Sequence, residues 1–182
     1  MPPIVTLRPM LEEDLATVES WLQASHVARW FLPETTVDAE LAKYRRRIED
    51  PLRTTVMCTV ELDGEPIGWC QWYCWDDYPE AARCIGALAG EVGADYAIGV
   101  ATATGRGVGT AMIGALVLEV RRHHPRAALV IAPEADNWAS RRVLEKNGFA
   151  LVDVRPLWSE PHRRPMAVYR LPSARPPTGG DR

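Results

Sequence analysis

A mixed α/β (α+β) domain, with helices and strands arranged about one sheet, is the fold class that this sequence predicts. β-rich runs recur along the chain, and segments with an apolar residue every three or four positions lie between them. Asp63-Gly64 separates two of the β-rich runs and is a strong two-residue hairpin signal. Residues 96–147 read strand, helix, strand, helix, a pattern that forms a right-handed crossover between parallel strands. A hairpin and a parallel crossover in one chain predict a mixed sheet.

The N-terminal half is predicted to supply two helices and the hairpin. Residues 4–8 alternate as a strand does, and residues 11–23 place apolar side chains on one helical face behind an acidic first turn at 12–14. Residues 36–49 form a second helix, which Pro51 ends. The strands 54–62 and 67–75 flank the hairpin turn. Residues 76–93 show no clear period and are predicted as a long loop with room for a helical turn.

The C-terminal half carries the predicted crossover. Its strands are predicted at 96–101, 127–132, 149–154 and 166–171, and its helices at 107–122 and 137–147. Asn147-Gly148 ends the last helix because both residues tolerate left-handed geometry. We expect a single domain over residues 1–171. The tail 172–182, PSARPPTGGDR, is rich in proline and glycine and is expected to be disordered.

Composition argues against several classes of function. The chain has 182 residues, 47% of them hydrophobic, and a net charge of −3, which does not suit a nucleic-acid-binding protein. No apolar run could span a bilayer, and the N-terminus does not resemble a secretory signal. We therefore expect a cytoplasmic protein without nucleic-acid or membrane partners, either a monomer or a homodimer. The four cysteines form no C-x-x-C pair, so reduced thiols are expected and a metal site is not.

A glycine-rich segment at residues 105–109, which we call the glycine knot, lies between the strand 96–101 and the helix that follows it. Gly105, Gly107 and Gly109 alternate with Arg106 and Val108. Glycines allow a backbone to approach a ligand closely, and the first N–H groups of a helix attract anions. The spacing matches neither G-x-G-x-x-G nor G-x-x-x-x-G-K-[ST]. The knot therefore predicts an anion site suited to a pyrophosphate, with a tight turn that binds nothing as the alternative.

Two motifs in this region resemble those of the GNAT N-acetyltransferase superfamily. GRGVGTAM is similar to its acetyl-CoA loop, Q/R-x-x-G-x-G/A, although Thr104 stands at the first position. NWASRRVLEKNGF resembles its N-x-x-A-x-x-x-Y-E-K-x-G-F helix. With VTLRPM, WLQASHVARWF, LDGEPIGWCQWY, ADYAIG and PMAVYRL, the order of segments from Val5 to Leu171 is similar to that of aminoglycoside 6′-N-acetyltransferases. The resemblance implies the GNAT fold, a mixed central sheet flanked by helices with a V-shaped splay at the acetyl-CoA site.

The resemblance also implies a reaction. The acetyl group of acetyl-CoA would pass to the 6′-amine of an aminoglycoside, giving antibiotic resistance. Such a transfer needs a base for the amine, a donor for the oxyanion and close approach of the reactants, but no covalent enzyme intermediate. Asp95 matches the aspartate of the family's G-[IV]-D segment and is the expected base, which could also hold the substrate ammonium.

The same resemblance assigns the cofactor contacts. Ile98, Gly99 and Val100 are expected to present backbone groups to the pantetheine arm and the thioester carbonyl. Asn137 is expected to hydrogen-bond the pantetheine, and a helix N-cap is its alternative role. The pyrophosphate is expected to lie on the loop residues Gly105, Arg106, Gly107, Val108, Gly109 and Thr110.

For the amino sugar, the resemblance points to Trp30, Gln71 and Tyr73, because an aromatic floor with polar edges suits a sugar ring. Glu91 is expected in an acidic rim with other carboxylates of the segment 76–93. Glu134 and Asp136, after the next strand, are expected to add to this rim, which would attract the substrate's ammonium groups.

Several positions depart from the family pattern. Leu144 stands where the family often has a tyrosine that acts as general acid, so water or another tyrosine, Tyr96 or Tyr73, would have to supply that proton. Ala132 and Leu88 stand where the aminoglycoside group has acids.

Two other functions stay open on the sequence. One is N-acylation of a different amine, such as a siderophore lysine or a protein N-terminus. The other is a non-catalytic CoA-binding module, which Thr104 and Leu144 favour and which Asp95 and the intact glycine loop argue against.

Overall fold

One seven-stranded sheet organises the protein, which a computed structural model describes over residues 3–33, 35–156 and 164–173. The strand order is β1-β2-β3-β4-β5-β7-β6. β4 and β5 pair in parallel, and the other neighbouring strands pair antiparallel. The predicted mixed sheet is therefore confirmed. The strands are β1 (Val5–Pro9), β2 (Thr55–Leu62), β3 (Glu65–Cys74), β4 (Val92–Ile98), β5 (Leu129–Ile131), β6 (Ala150–Pro156) and β7 (Pro165–Leu171).

Helices cover both faces of the sheet. The helices of the described ranges are α1 (Leu15–Gln23), α2 (Ser25–Phe31), α3 (Val37–Glu49), α4 (Pro79–Ile85), α5 (Val108–His123) and α6 (Trp138–Lys146). α1 to α3 pack on one side in a core around Trp69, and we call this side the α3 face. α5 and α6 pack on the other side around Leu116 and Leu144, and we call it the α5 face.

The alternation of side chains along β3 and β4 decides which face each site residue occupies. From Trp69 onward in β3 and along β4, odd-numbered residues face α3, as the burial of Trp69 and Ala97 in the α1–α3 core shows. Even-numbered residues face α5, as Cys70 and Ala94 do. Asp95 is odd-numbered and therefore lies on the α3 face.

β4 and β5 diverge from their first paired residues and leave a wedge between them. Among the described residues, the β4–β5 ladder consists of one pair, Val92 with Leu129. On its other side, β4 stays bonded to β3, from Trp75 N–H to Glu91 O (3.0 Å) as far as Gly99 N–H to Ile67 O (2.8 Å). These bonds turn the odd-numbered backbone groups of β4 toward β3, so antiparallel alternation directs the even-numbered groups into the wedge. The wedge is the expected V-shaped splay.

Three element predictions from the sequence need correction. The predicted helix 11–23 is a 3-10 turn at Glu12–Asp14 followed by α1, and α2 was not predicted. The predicted loop 76–93 contains α4, which Gly86 ends at a φ of 70°. β4 begins at Val92 rather than at residue 96. Seven-residue helices such as α2 and α4 make fewer than two turns, too few for an apolar period to emerge.

Some expectations fall outside what the structure describes. Residues 174–182 of the predicted disordered tail lie outside the described ranges, as do residues 157–163 between β6 and β7. In the described ranges, no helix is both long and apolar enough to cross a membrane. The same ranges bring no three His, Cys, Asp or Glu side chains together as a metal site would require.

Candidate functional site

A cavity of about 270 Å³ passes through the wedge between β4 and β5. Lys43 and Tyr44 of α3 line it from one face, and Ser140 of α6 lines it from the other. Six candidate site residues from the sequence also line it, and they are Trp30, Gln71, Asp95, Tyr96, Glu134 and Asn137. The fold thus gathers residues that are far apart in the sequence, such as Trp30 and Asn137, into one cavity that side chains line from both faces of the sheet.

Asp95 is held in place by its cross-strand neighbour. Gln71 lies directly opposite it and donates from Nε2 to Asp95 Oδ2 at 2.6 Å. Arg47 of α3 donates from Nη1 to Gln71 Oε1 at 2.7 Å. Because a guanidinium can only donate, this contact fixes which end of the Gln71 amide faces Asp95. Gln71, expected to bind substrate, therefore uses both ends of its amide to position the carboxylate.

Tyr73 takes a different place from the one expected. Its ring packs edge-on against Trp75 at 5.0 Å and against Tyr78 at 4.9 Å, beside α4, and it does not line the cavity. Burial raises the pKa of the Tyr73 phenol, and the nearby charge of Asp95 raises it further. Tyr73 is thus a neutral, half-buried packing residue rather than part of a sugar-binding floor.

Glu91 does not contribute to an acidic rim. Only 6% of it is exposed, and its carboxylate accepts from Arg170 Nη2 at 3.1 Å and from the Leu88 amide at 2.8 Å. These contacts tie the start of β4 to β7 and to the turn after α4. The segment 76–93 folds into α4 and its flanking turns, so its carboxylates do not line the cavity.

The charge of the cavity is close to balanced. Glu134 lines it, but both of its oxygens accept from Arg164 Nη1, at 2.9 and 3.1 Å. Asp136 is exposed outside the cavity, which corrects the expectation that it binds substrate. Lys43 lines the cavity and pairs with Glu40 at 2.6 Å. The carboxylate of Asp95 therefore differs from that of Glu134, because its partner is the neutral amide of Gln71 rather than a cation.

Trp30 supplies the aromatic wall that the sequence led us to expect. It lies on α2, and the Arg29 guanidinium stacks 4.4 Å from the centre of its ring. Trp30 lines the cavity, where a sugar ring could pack against it.

The glycine knot forms the start of α5. Gly105 and Gly107 have φ values of 72° and 82°, which favour glycine, and a Cβ at either position would meet open space. Gly107 is the N-cap, and the first intrahelical bond runs from the Ala111 amide to Gly107 O at 3.1 Å. Helix geometry leaves the amides of Val108, Gly109 and Thr110 directed out of the helix start. Arg106 is exposed beside them. These amides and the open space above them fit a pyrophosphate.

The three residues expected to contact the pantetheine arm divide into two groups. The amides of Gly99 and Val100 both donate to Ile67 O, at 2.8 and 3.0 Å, and so anchor β4 to β3. The Ile98 amide points into the wedge by the alternation described above. The Ile98 carbonyl lies 3.0 Å from His26 Nε2, which must carry the proton because a carbonyl only accepts. Ile98 is thus the member of the three whose amide faces the wedge.

Asn137 takes the alternative role foreseen from the sequence. Its Oδ1 accepts from the Ser140 amide at 3.1 Å, which makes it the N-cap of α6. The capping leaves its Nδ2 as the group that could donate to a ligand in the cavity it lines.

Sequence reasoning missed several residues of the site. Arg47 and Lys43 lie on α3, whose polar face reads as a solvated surface. Trp21 explains Gly99, because a Cβ there would lie 2.0 Å from the Trp21 ring. Ser140 carried one usable signal, since it stands one helical turn before Leu144 and so shares its face.

Comparisons with known proteins show the family to which the chain belongs. Residues 10–156 match the family model of the acetyltransferase (GNAT) domain. The chain is 30% identical over 158 residues to an aminoglycoside N(6′)-acetyltransferase type 1 of Klebsiella pneumoniae, covering 80% of this chain and 73% of that protein. The Serratia marcescens protein of the same name gives the same values.

Solved structures of AAC(6′)-Ib superpose on the chain. Its complex with ribostamycin and coenzyme A gives a TM-score of 0.72 at 27% identity, covering 93% of both chains. Its complex with paromomycin and acetyl-CoA also gives 0.72, at 26% identity and the same coverage. The family match spans most of the chain, including the wedge and the glycine knot. This chain therefore belongs to the GNAT acetyltransferases, enzymes that use acetyl-CoA as their acetyl donor.

Proposed function

We propose that the protein transfers the acetyl group of acetyl-CoA to the 6′-amine of aminoglycosides and thereby confers resistance to them. One observation carries the proposal. Asp95 is oriented by Gln71 in a cavity that has an aromatic wall at Trp30 and passes through the wedge. The similarity to aminoglycoside N(6′)-acetyltransferases supports the choice of acceptor. We also propose a cytoplasmic location, where such an enzyme would meet its acetyl donor.

The cofactor site follows from the α5 face. The outward amides of 108–110 and Arg106 would hold the pyrophosphate, and Asn137 Nδ2 would hold the arm. When bound, acetyl-CoA supplies an acetyl group activated as a thioester.

The acceptor site follows from the α3 face. Asp95 would accept a proton from the ammonium and leave the neutral amine next to the wedge. Trp30 would pack against the sugar ring, and Glu134 would hold a second ammonium. The Ile98 amide, which faces the wedge, is a suitable donor for the oxyanion that develops on the transferred carbonyl. The amine attacks directly, so no side chain is acetylated.

A second acceptor class is favoured by the charge balance of the cavity. Glu134 is paired with Arg164, and Lys43 lines the same space. A polycationic antibiotic would bind such a site less tightly than it would bind an acidic one, whereas the affinity of a singly charged primary amine would differ little between the two. N-acetylation of a smaller amine, such as a lysine side chain or a peptide N-terminus, is therefore the second candidate.

The deciding experiment follows the release of free CoA from acetyl-CoA by the purified protein. Neomycin and paromomycin form a matched pair, because the first carries an amine at the 6′ position and the second a hydroxyl. We expect release with neomycin and kanamycin and none above background with paromomycin. Equal release of CoA with neomycin and with paromomycin would contradict specificity for the 6′-amine. Release with a lysine derivative or a peptide but with no aminoglycoside would replace this proposal with the second candidate.

A further inference from the structure

Two hydroxyl groups meet across the wedge on the face opposite Asp95. Tyr96 of β4 and Ser140 of α6 place Oη and Oγ 2.6 Å apart. Tyr96 is even-numbered, so its side chain lies on the α5 face, whereas Asp95 lies on the α3 face. Both hydroxyl-bearing residues line the cavity that contains Asp95.

The two sides of the wedge suit the two halves of an acetyl transfer. The acceptor amine reaches the wedge from the α3 face, where Asp95 lies. The anion site at the start of α5 belongs to the α5 face, so the sulfur of a bound acetyl donor reaches the wedge from there. The amine must lose a proton on the α3 face, and the departing sulfur must receive a proton on the α5 face. Tyr96 and Ser140 lie on the α5 face.

The position that supplies this proton in many relatives is apolar here. Leu144 is fully buried in the α5 core and has no group that could donate. Ser140 precedes it by one turn on the same helix, so its hydroxyl lies on the same face of α6. The remaining tyrosine considered from the sequence, Tyr73, packs beside α4 and does not line the cavity.

We propose that the Tyr96–Ser140 pair is the catalytic proton donor to the departing CoA thiolate. The proposal rests on acetyl transfer from CoA and holds whichever amine is the acceptor. As the C–S bond breaks, its electron pair goes to sulfur, which takes the proton of Tyr96 Oη. Tyr96 takes the Ser140 proton, and Ser140 is reprotonated by water in the cavity. The proton released by the amine on the Asp95 side balances the one consumed.

The environment of Tyr96 keeps the pair ready to donate. Burial raises the pKa of the Tyr96 phenol, the hydrogen bond with Ser140 lowers it in part, and the charge of Asp95 raises it. The phenol therefore carries its proton throughout the working pH range. A relay through Ser140 also avoids leaving a buried phenolate, which this environment disfavours.

The first test needs no acceptor. Thiolate absorbance near 232 nm reports the titration of CoA bound to the protein. A hydrogen-bond donor to sulfur stabilises the thiolate, so we expect the bound thiol to titrate about one pH unit higher in Tyr96→Phe than in the wild type. Tyr169→Phe is the matched control, because it removes a hydroxyl that bonds Glu145 at 2.6 Å outside the cavity. Superimposable curves for wild type and Tyr96→Phe, both loaded with CoA, would overturn the proposal.

The second test measures turnover with whichever amine the wild type acetylates. We expect Tyr96→Phe to lower kcat about 100-fold with little change in the KM of the acceptor, and Ser140→Ala to lower it less. Unchanged kcat in Tyr96→Phe would contradict the proposal.

The same variants and the thiol titration decide two further outcomes. If Tyr96→Phe does not fold, as judged by its thermal melt, the thiol titration of Ser140→Ala takes its place, and an unshifted curve counts against the pair. If the wild type acetylates no amine, the proposed function fails, while the titration still supports or overturns the donor role.

Discussion

Gln71 donates to Asp95 Oδ2 at 2.6 Å from the neighbouring strand, with its own carbonyl held by Arg47 at 2.7 Å. The two residues are directly opposite in the β3–β4 register, so their side chains project from the same face. A buried amide with both ends engaged has one stable orientation. The carboxylate next to the wedge is therefore positioned by secondary structure and one cation rather than by a mobile loop.

Asp95→Asn tests the base directly. The amide has nearly the same shape and can still accept from Gln71, but it cannot take a proton from an ammonium. We expect kcat/KM to fall by about 100-fold or more while the dissociation constant of CoA stays within about twofold. Calorimetry measures the binding and CoA release measures the turnover. Asp136→Asn, at an exposed carboxylate outside the cavity, should behave as wild type, and full activity of Asp95→Asn would remove Asp95 from the mechanism.

Arg47→Met tests the support of Gln71. The variant leaves the buried Gln71 carbonyl without its charged donor, so the amide can turn and Asp95 loses its orientation. A lost buried hydrogen bond costs about 1–3 kcal/mol, and we expect kcat to fall about tenfold with the acceptor KM unchanged or lower. Steady-state kinetics separates the two constants. Arg46→Met alters the exposed neighbour on α3 and should leave both constants unchanged. A rise in KM at constant kcat would instead assign Arg47 to acceptor binding.

Most of the site could be predicted because its signals are local. The glycine knot, Asp95 at a strand and Asn137 at a helix start are readable from short motifs, and the structure places Asp95 and Asn137 in one cavity and the knot at the start of α5. Burial partners are not local. Glu91 reads as a loop carboxylate until α4 forms and Arg170 of β7 reaches it, and the pairing of Gln71 with Arg47 joins positions 24 residues apart. Such contacts depend on tertiary packing, which periodicity does not report.

Gly107→Val tests the anion site. Valine at a φ of 82° strains the backbone, and its side chain would fill the open space over the outward amides. We expect the dissociation constant of CoA to rise at least about tenfold, since one charge-assisted contact is worth about 1.5–3 kcal/mol. Gly64→Val is the matched control, because Gly64 has a φ of 85° and open surroundings in the β2–β3 turn. Both variants should melt earlier than wild type, and equal loss of CoA affinity in both would contradict a local role.

Asp14 offers a prediction on stability and pH that is separate from activity. Arg8 holds it with two bonds of 2.7 Å, and the Leu11 amide donates to it at 2.8 Å, so β1 is tied to the turn before α1. The bond to Arg8 is the main cause that lowers the pKa of Asp14 below its ordinary value of 3.8. A carboxyl group with a lowered pKa stabilises the fold fully above its unfolded value and loses that contribution as pH falls through its folded value.

Asp14→Asn should therefore lower the free energy of unfolding by about 1 kcal/mol at pH 7, a modest value because Arg8 is partly exposed. The difference from wild type should shrink as pH falls below about 4, where the carboxyl of the unfolded chain begins to take up a proton, and it should level off below the lower pKa of the folded state. Urea denaturation at a series of pH values measures it. Glu13→Gln, at the exposed neighbouring carboxylate, should show no such trend. A difference that stays constant from pH 7 to pH 3 would mean that Asp14 acts through its shape and hydrogen bonds alone, without a contribution from its charge.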